Sequence, residues 1–259
     1  MKRLLYFSLA ALAVLAVSCK KDEGGKSAKI PVPEAIDIGT VVNGKTVKWA
    51  SFNLGASKPY NYGDYYAWGE TKTKTDYTWG TYKYATGYSN KLTKYCPKNQ
   101  SAYWDAEAKP KGPDGDVSLF PTDDAAHVLL GGKWRMPTTD DYNALLALKD
   151  NPDYNWEINT FATDDNGDEA KDFKGNVIRG IRITRKSTGA TLFFPAADEC
   201  DGTDVAPEAG LWGLYWTSGI FAASPFNGYY FSFTSSSVYS APQTASRAYG
   251  FPIRAVYIE

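Results

Sequence analysis

The stretch GGKWRMPTTDDYNALLALK, residues 131–149, carries the strongest structural signal in the chain. Thr138 is one of the residue types that cap helix N-termini, and two aspartates follow within the first helical turn. Apolar residues then recur at helical spacing: Tyr142, Leu145, Leu146 and Leu148. Pro137 ahead and Pro152 behind mark the limits of this pattern. The stretch therefore predicts an amphipathic helix that begins after Thr138 and ends near Lys149.

Around this helix the chain alternates short strand-like runs with turns rich in Gly, Asn, Asp and Ser. Alternation of β-branched and aromatic residues predicts strands at residues 47–50, 176–184, 190–195, 229–234 and 253–258. Residues 187–189 separate two of these runs and predict a hairpin turn. A second, shorter helix is expected over residues 123–130, stopped by Gly131 and Gly132. Many short strands with two helices and long connections indicate the α+β class.

Residues 1–18 are organised like a bacterial lipoprotein signal peptide. A positively charged start precedes an apolar run over residues 4–17, which is shorter than the roughly 20 residues of a membrane-spanning helix. The run ends in AVSC, residues 16–19, which resembles the lipobox of lipoprotein precursors. We predict cleavage before Cys19 and lipidation of that cysteine. An ordinary signal peptide with a chance cysteine is the alternative.

Residues 19–33 are predicted to form a flexible tether between the lipid anchor and one domain, residues 34–259. The stretch 20–29 is charged and Gly-rich and lacks aromatic residues, so it buries too little apolar surface to fold. Its first residues, KKDE, resemble the export tags of some Bacteroidetes lipoproteins. We therefore expect an outer membrane lipoprotein displayed at the cell surface. A linker that faces the periplasm is the alternative.

The charge balance argues against a nucleic-acid partner. The chain has 28 basic and 29 acidic side chains, and removal of Lys2 and Arg3 with the signal peptide leaves 26 basic ones. Nucleic-acid binders concentrate Lys and Arg in basic patches. The predicted partners are the membrane, through the lipid anchor, and a glycan or protein ligand.

Cys96 and Cys200 remain once Cys19 is lipidated. In an oxidising compartment these two thiols could pair. A disulfide across a loop of about 100 residues would stabilise the fold by several kcal/mol in the chain-entropy model. The sequence does not place the two Cα atoms, so a disulfide and two separate thiols both stay open.

Several segments occur in an order that points to one protein family. They are VKWA (47–50), YGDYYAWGE (62–70), DDAA (123–126), GGKWRMPT (131–138), LFFPAA (192–197), YWTS (215–218), Arg247 and GFPIR (250–254). Over residues 34–259 the chain resembles the Fibrobacter succinogenes major paralogous domain, which is common in Bacteroidetes lipoproteins. The resemblance implies a C-type-lectin-like fold, as in formylglycine-generating enzymes and tropism-determinant proteins. Such a fold has short twisted antiparallel sheets, two helices, long loops and chain ends that meet as neighbouring strands.

The chain also departs from proteins of that fold. It lacks the Glu-Pro-Asn or Gln-Pro-Asp triplet of many calcium-dependent lectins and the reactive cysteine arrangement of the formylglycine-generating enzymes. Residues 96–122 and 198–211 look like insertions peculiar to this chain. The resemblance implies no settled activity, and a fold does not determine a function.

The sequence offers no catalytic constellation. His127 is the only histidine and lies in the predicted short helix, where a packing or capping role is favoured over a general base. No serine lies in a Gly-x-Ser-x-Gly elbow, and neither Cys96 nor Cys200 has an activating neighbour in sequence. We predict no catalytic residue and no enzyme activity. A formylglycine-generating-like enzyme is the third functional alternative.

Two acidic segments partly match the pattern of calcium sites. Asp164, Asn166 and Asp168 place oxygen donors at alternate positions, as calcium loops do, but Gly175 stands where an EF-hand needs a glutamate. The second segment comprises Asp198, Glu199, Asp201 and Asp204. Solvated acidic turns are favoured in both places, so we predict no metal and no cofactor, with calcium as the alternative.

Aromatic residues make up 15% of the chain, including eight Trp and nineteen Tyr. Trp216 lies in the YWTS segment and is expected in the core. Four aromatic residues near the C-terminus are candidates for an exposed ligand-binding surface: Trp212, Phe221, Phe226 and Tyr239. Ordinary packing is their alternative role. The favoured hypothesis is a non-catalytic binding or adhesion module that recognises glycan or protein through residues 198–246. A structural or assembly subunit of an envelope or pilus complex is the second.

Overall fold

The structure is a computed structural model and describes residues 30–259. The predicted signal peptide, the predicted lipidation site Cys19 and most of the predicted tether lie outside these residues. Residues 30–33 have no regular structure, and Ile30 packs against a core cluster. Within residues 30–259 no helix has the length and apolar character needed to cross a membrane.

Fourteen strands, two α-helices and two 3₁₀ turns make up the described chain. The first strands are β1 Ala35–Val42, β2 Lys45–Ala50, β3 Tyr66–Ala67, β4 Trp134–Arg135, β5 Tyr154–Phe161, β6 Arg179–Arg185 and β7 Thr191–Pro195. The others are β8 Cys200–Asp201, β9 Asp204–Val205, β10 Trp212–Ile220, β11 Asn227–Thr234, β12 Gln243–Ser246, β13 Gly250–Phe251 and β14 Val256–Ile258. The helices are α1 Ala125–Leu130 and α2 Thr139–Leu146, and the 3₁₀ turns are Ser101–Tyr103 and Pro121–Asp123.

The strands form four small sheets whose named strands all pair antiparallel. Their orders are β1-β2-β14-β4, β10-β11-β12, β3-β13-β8-β9 and β5-β6-β7. In the first sheet β14 lies between β2 and β4, with Val256 opposite both Trp49 and Arg135. The first and last strands of residues 30–259 therefore belong to one sheet. Small antiparallel sheets with two helices confirm the predicted α+β class.

Helix α2 begins as its sequence predicts, because Thr138 and Asp141 form a capping box. Asp141 also accepts two hydrogen bonds from the Arg135 guanidinium, at 2.6 and 3.1 Å, which ties the helix to β4. On its buried face the Tyr142 ring stacks on Phe231 with centroids 4.6 Å apart. The helix ends at Leu146, earlier than predicted, because the next residues continue as i to i+3 turns.

The other predicted elements are found with shifted ends. Helix α1 is capped by the Asp124 carboxylate, which accepts the N–H of His127, so it begins two residues later than predicted. Strand β6 begins at Arg179 because Val177 and Ile178 pair with residues 170–171 instead of continuing the strand. Only the last three residues of the predicted strand 253–258 form β14, although Ile253 and Ala255 still accept backbone hydrogen bonds from residues 54 and 50.

Aromatic side chains dominate the interior. One cluster contains Trp68, Trp216 and Phe251, and a second contains Trp49, Tyr142, Phe194 and Phe231. Trp216 is fully buried, stacks on Phe251 at 4.1 Å and donates its indole N–H to the Tyr66 carbonyl at 2.8 Å. The prediction that Trp216 lies in the core is therefore confirmed.

The disulfide that the sequence allows does not form between Cys96 and Cys200. The two residues lie in different clusters: Cys96 packs with Leu92 and Trp104, and Cys200 lies opposite Gly250 in the cluster around Trp216. Burial, with the nearby Asp114 carboxylate, raises the pKa of the Cys96 thiol to about 11. The chain thus keeps two buried cysteines without a covalent link between them.

Candidate ligand-binding cleft

A cleft of about 320 Å³ opens where three distant parts of the chain meet. The first is the loop over residues 77–89, the second is the end of β8, and the third is the segment from residue 226 to residue 249. The lining residues are Tyr77, Thr78, Trp79, Ser89, Asp201, Phe226, Ser246, Ala248 and Tyr249. We call this site the aromatic cleft, because four of its nine lining residues are aromatic.

The aromatic walls of the cleft are held by the core. Tyr77 donates its backbone N–H to the Gly202 carbonyl at 2.7 Å and its hydroxyl to the Tyr65 carbonyl at 2.6 Å. Trp79 packs edge-on against the Tyr82 ring at 5.2 Å. Phe226 lies against the ring of Tyr103 at 5.4 Å. Fixed aromatic faces lose little conformational entropy when a ligand binds, so the cleft is preorganised.

Polar groups stand among these rings. Asp201 and Thr78 are exposed, and Ser89 is half-buried. The Ser246 hydroxyl oxygen is buried and has no hydrogen-bond partner among residues 30–259. Buried polar atoms are generally hydrogen-bonded, so this hydroxyl is an exception among the polar groups of the cleft. Mostly apolar walls with a few placed polar groups are typical of small-molecule sites.

The charge near the cleft is negative. Glu199 precedes Asp201 by two residues, and burial, followed by the charges of Asp198, Asp201 and Glu208, raises the pKa of Glu199 to about 7. Burial, together with the charges of Asp201 and Glu199, also raises the pKa of Tyr249. An anionic ligand would be repelled here, so the cleft favours neutral or cationic groups.

Glu199 makes stability depend on pH in a defined direction. Its pKa of about 7 in the folded chain lies above the ordinary 4.5, so the ionised form is disfavoured by folding. Below pH 4.5 the carboxyl is protonated in the folded and the unfolded chain, so it does not change the free energy of unfolding. Between pH 4.5 and 7 its loss of stability grows, and above pH 7 this loss stays constant. We expect Glu199→Gln to raise the free energy of unfolding by about 1–2 kcal/mol at pH 8, a value reduced for partial solvent exposure, and to change it little at pH 4.

Urea unfolding of wild type and Glu199→Gln at pH 4, 6 and 8 measures this difference. A gain that is the same at all three pH values would show that the glutamine packs better for a reason unrelated to ionisation.

Of the four aromatic residues predicted to bind ligand, only Phe226 lines the aromatic cleft. Trp212 starts β10 and donates its indole N–H to Glu208 at 3.0 Å. Phe221 follows the other end of β10, roughly 25–30 Å from Trp212 by strand rise. The Phe221 ring packs against Tyr229. Tyr239 is exposed beyond the end of β11. The four residues therefore do not form one surface.

Sequence reasoning missed Tyr77, Trp79 and Tyr249 and assigned Asp201 only to an acidic cluster. The signal that could have found the first two is the run YTWGTYKY, residues 77–84, where four aromatic residues stand among polar ones outside the segments that carry the resemblance. No local pattern links this run to Asp201 or Tyr249, because the fold alone brings the three together.

The acidic segment that begins at Asp164, for which the sequence favours a solvated turn over a calcium site, is a tight turn. One carboxylate oxygen of Asp164 accepts the backbone N–H groups of Asn166 and Asp168 at 2.9 and 3.0 Å. Such a turn is a common local use of aspartate. Across residues 30–259, no group of three or more His, Cys, Asp or Glu side chains is arranged to hold a metal ion. Calcium binding stays an untested alternative.

His127 has structural contacts. Its backbone N–H binds the Asp124 carboxylate, and its Nδ1 lies 3.2 Å from the Trp134 carbonyl. The same carboxylate accepts the N–H of Met136 at 2.8 Å. These contacts join α1 to β4 and to the residue after it, and the capping side chain is that of Asp124.

No protein-family model, curated protein or solved structure matches this chain. The resemblance to the Fibrobacter succinogenes major paralogous domain stays a prediction, as does the C-type-lectin-like fold. The function is therefore inferred from the chemistry of the aromatic cleft.

Proposed function

We propose that this chain is a non-catalytic glycan-binding module that holds neutral sugar residues in the aromatic cleft. The observation that carries the proposal is that Trp79, Phe226 and Tyr249 line one cleft together with the exposed Asp201. The C–H face of a sugar ring packs flat on an aromatic face, while its hydroxyl groups donate to a carboxylate or exchange hydrogen bonds with side-chain hydroxyls. Thr78, which is exposed, and Ser89, which is half-buried, supply such hydroxyls in the cleft.

The size of the cleft suits part of an oligosaccharide. Its 320 Å³ lies near the lower end of the range for small-molecule sites, about 300–1,000 Å³. A cavity of this size accommodates a terminal sugar or a short segment. Its negative surroundings favour neutral sugars over uronic acids or sulfated ones.

Three observations support binding without chemistry. Asp201 is the only carboxylate among the cleft's lining residues, whereas glycoside hydrolysis ordinarily uses two that flank the bond. The Cys96 thiol is fully buried and its pKa is about 11, the opposite of a reactive cysteine. The His127 imidazole lies with its Nδ1 3.2 Å from the Trp134 carbonyl, outside the aromatic cleft. The absence of activity stays part of the proposal.

The proposed module is an outer membrane lipoprotein, anchored through Cys19 and displayed at the cell surface. The AVSC and KKDE segments support this location. Mass spectrometry of the mature chain tests the anchor: an acylated Cys19 at the N-terminus is expected, and an unmodified N-terminus would refute it.

A glycan array tests the binding proposal. The full chain is applied in a detergent without a sugar headgroup, beside three variants: Trp79→Ala, Asp201→Asn and Phe173→Ala. We expect wild type to bind a group of neutral glycans and Trp79→Ala and Asp201→Asn to bind them at least tenfold more weakly, a loss of about 1.4 kcal/mol. Asp201 is exposed, so its variant tests the cleft without disturbing the core.

Phe173 is an aromatic residue that is 63% exposed and does not line the cleft, so its variant is the matched control. Equal losses for Phe173→Ala and Trp79→Ala, or a blank array from folded protein, would refute the glycan proposal. Release of reducing sugar from a bound glycan would refute its non-catalytic part.

A further inference from the structure

A second cavity, of about 650 Å³, lies in the segment that the sequence marks as an insertion. Its basic lining residues are Lys98, Lys109 and Lys111, and Trp104, Pro110 and Pro113 form apolar parts of its wall. We call it the lysine pocket. We propose that it is a separate binding site for the sulfate or carboxylate groups of an acidic polysaccharide.

The positive charge of the lysine pocket is available to a ligand. None of its three lysines forms an ion pair with an acidic residue of the described chain, residues 30–259. The one acidic lining residue, Asp114, accepts the backbone N–H groups of Tyr95 and Cys96 at 2.7 and 2.9 Å. Three cations around one cavity stand out in a chain whose net charge is −1.

The loop that carries Lys109 and Lys111 is fixed by hydrogen bonds. The Lys109 N–H donates to the Asp105 carbonyl at 2.9 Å, and the Lys109 carbonyl accepts the indole N–H of Trp104 at 2.8 Å. Beyond the loop, the N–H of Gly115 donates to the Cys96 carbonyl at 2.9 Å. Pro110 and Pro113 restrict the backbone further. A loop ordered in advance lowers the entropic cost of holding an anion between flexible lysines.

The shape of the lysine pocket favours a saccharide substituent over other anionic partners. Nucleic acid calls for an extended basic stripe, which a chain of net negative charge does not supply. A lipid surface is flat, whereas these lysines line a recess together with Trp104 and two prolines. Such walls suit the C–H surface of a sugar ring whose sulfate or carboxylate reaches the ammonium groups. The two proposed sites therefore select ligands of different charge: neutral sugars in the aromatic cleft and anionic ones in the lysine pocket.

Calorimetric titration of the full chain in detergent with a heparin-derived tetrasaccharide tests this site. A second titration, with a desulfated tetrasaccharide that keeps its carboxylates, shows whether sulfate or carboxylate is recognised. We expect the Lys109→Glu/Lys111→Glu double variant to bind the tetrasaccharide at least tenfold more weakly than wild type. The matched control is Lys45→Glu, the same charge change in the exposed first residue of β2, which should stay within twofold.

Wild type is also titrated with a neutral tetrasaccharide, and loss of one kind of binding while the other is retained tells a failure of the aromatic cleft from a failure of the lysine pocket. No binding of either acidic tetrasaccharide by wild type, or an equal loss in Lys45→Glu, would overturn the proposal. Binding to vesicles that contain phosphatidylglycerol without binding to either acidic tetrasaccharide would overturn it in favour of a lipid surface.

Discussion

Arg247→Met should lower the free energy of unfolding by about 3–5 kcal/mol, which corresponds to a fall in Tm of roughly 10 °C. Arg247 is fully buried, and its guanidinium donates to the carbonyls of Tyr95, Pro225 and Lys94 at 2.7–3.0 Å. It also donates to the Tyr82 hydroxyl at 2.9 Å. Methionine fills similar space but leaves buried carbonyls without a donor, and each such group costs about 1–3 kcal/mol.

The loss of Arg247 should also reach the aromatic cleft. Its partners include the carbonyl of Pro225, next to Phe226, and the hydroxyl of Tyr82, against which Trp79 packs. We therefore expect the variant to bind glycan more weakly even at a temperature where it remains folded.

Thermal unfolding followed by circular dichroism measures the effect, with Arg182→Met as the matched control. The Arg182 guanidinium is partly exposed and pairs with Glu157, so its loss should cost no more than about 1 kcal/mol. Equal and small losses of stability in the two variants would show that the hydrogen bonds of Arg247 to residues 82, 94–95 and 225 do not stabilise the fold.

Gly250→Ala should lower the free energy of unfolding by about 2–3 kcal/mol. A Cβ at this position would lie 2.5, 2.7 and 2.9 Å from three atoms of the Tyr77 ring. The ring cannot move aside easily, because Tyr77 is 3% exposed and hydrogen-bonded to Tyr65 and Gly202. The same ring lines the aromatic cleft, so the variant should also lose glycan affinity.

Gly219→Ala is the matched control for this clash. Gly219 also lies in a strand, but a Cβ there would meet no atom closer than 3.9 Å. Chemical denaturation should show Gly219→Ala to be neutral or slightly stabilising. If Gly250→Ala were equally neutral, the Tyr77 ring would not pack as closely against Gly250 of β13 as described.

The elements that the sequence predicts well are those set by local chemistry. The cap at Thr138, the apolar spacing after it and the turn at residues 187–189 act within a few residues, so α2 and the β6-β7 hairpin follow from them. The α+β class follows from the same signals. The ends of β6 and β14 shift because neighbouring segments compete for their backbone groups.

The aromatic cleft could not be predicted in the same way, because it is assembled from three segments that lie far apart in sequence. Trp212 and Trp79 are both half-buried aromatic residues, and the sequence does not show which of them faces a cavity. Arg247 and Arg254 are fully buried, against the usual rule for arginine, and only the family resemblance singled them out. Their role depends on backbone carbonyls that the fold brings to them.

A crystal structure of the protein with the tightest-binding oligosaccharide from the array would show whether a neutral sugar binds in the aromatic cleft. We expect a sugar ring against Trp79 or Phe226, with a hydroxyl group within hydrogen-bond distance of the Asp201 carboxylate. A sugar held elsewhere, for example against Trp212 or Tyr239, with the aromatic cleft empty, would contradict the proposed function.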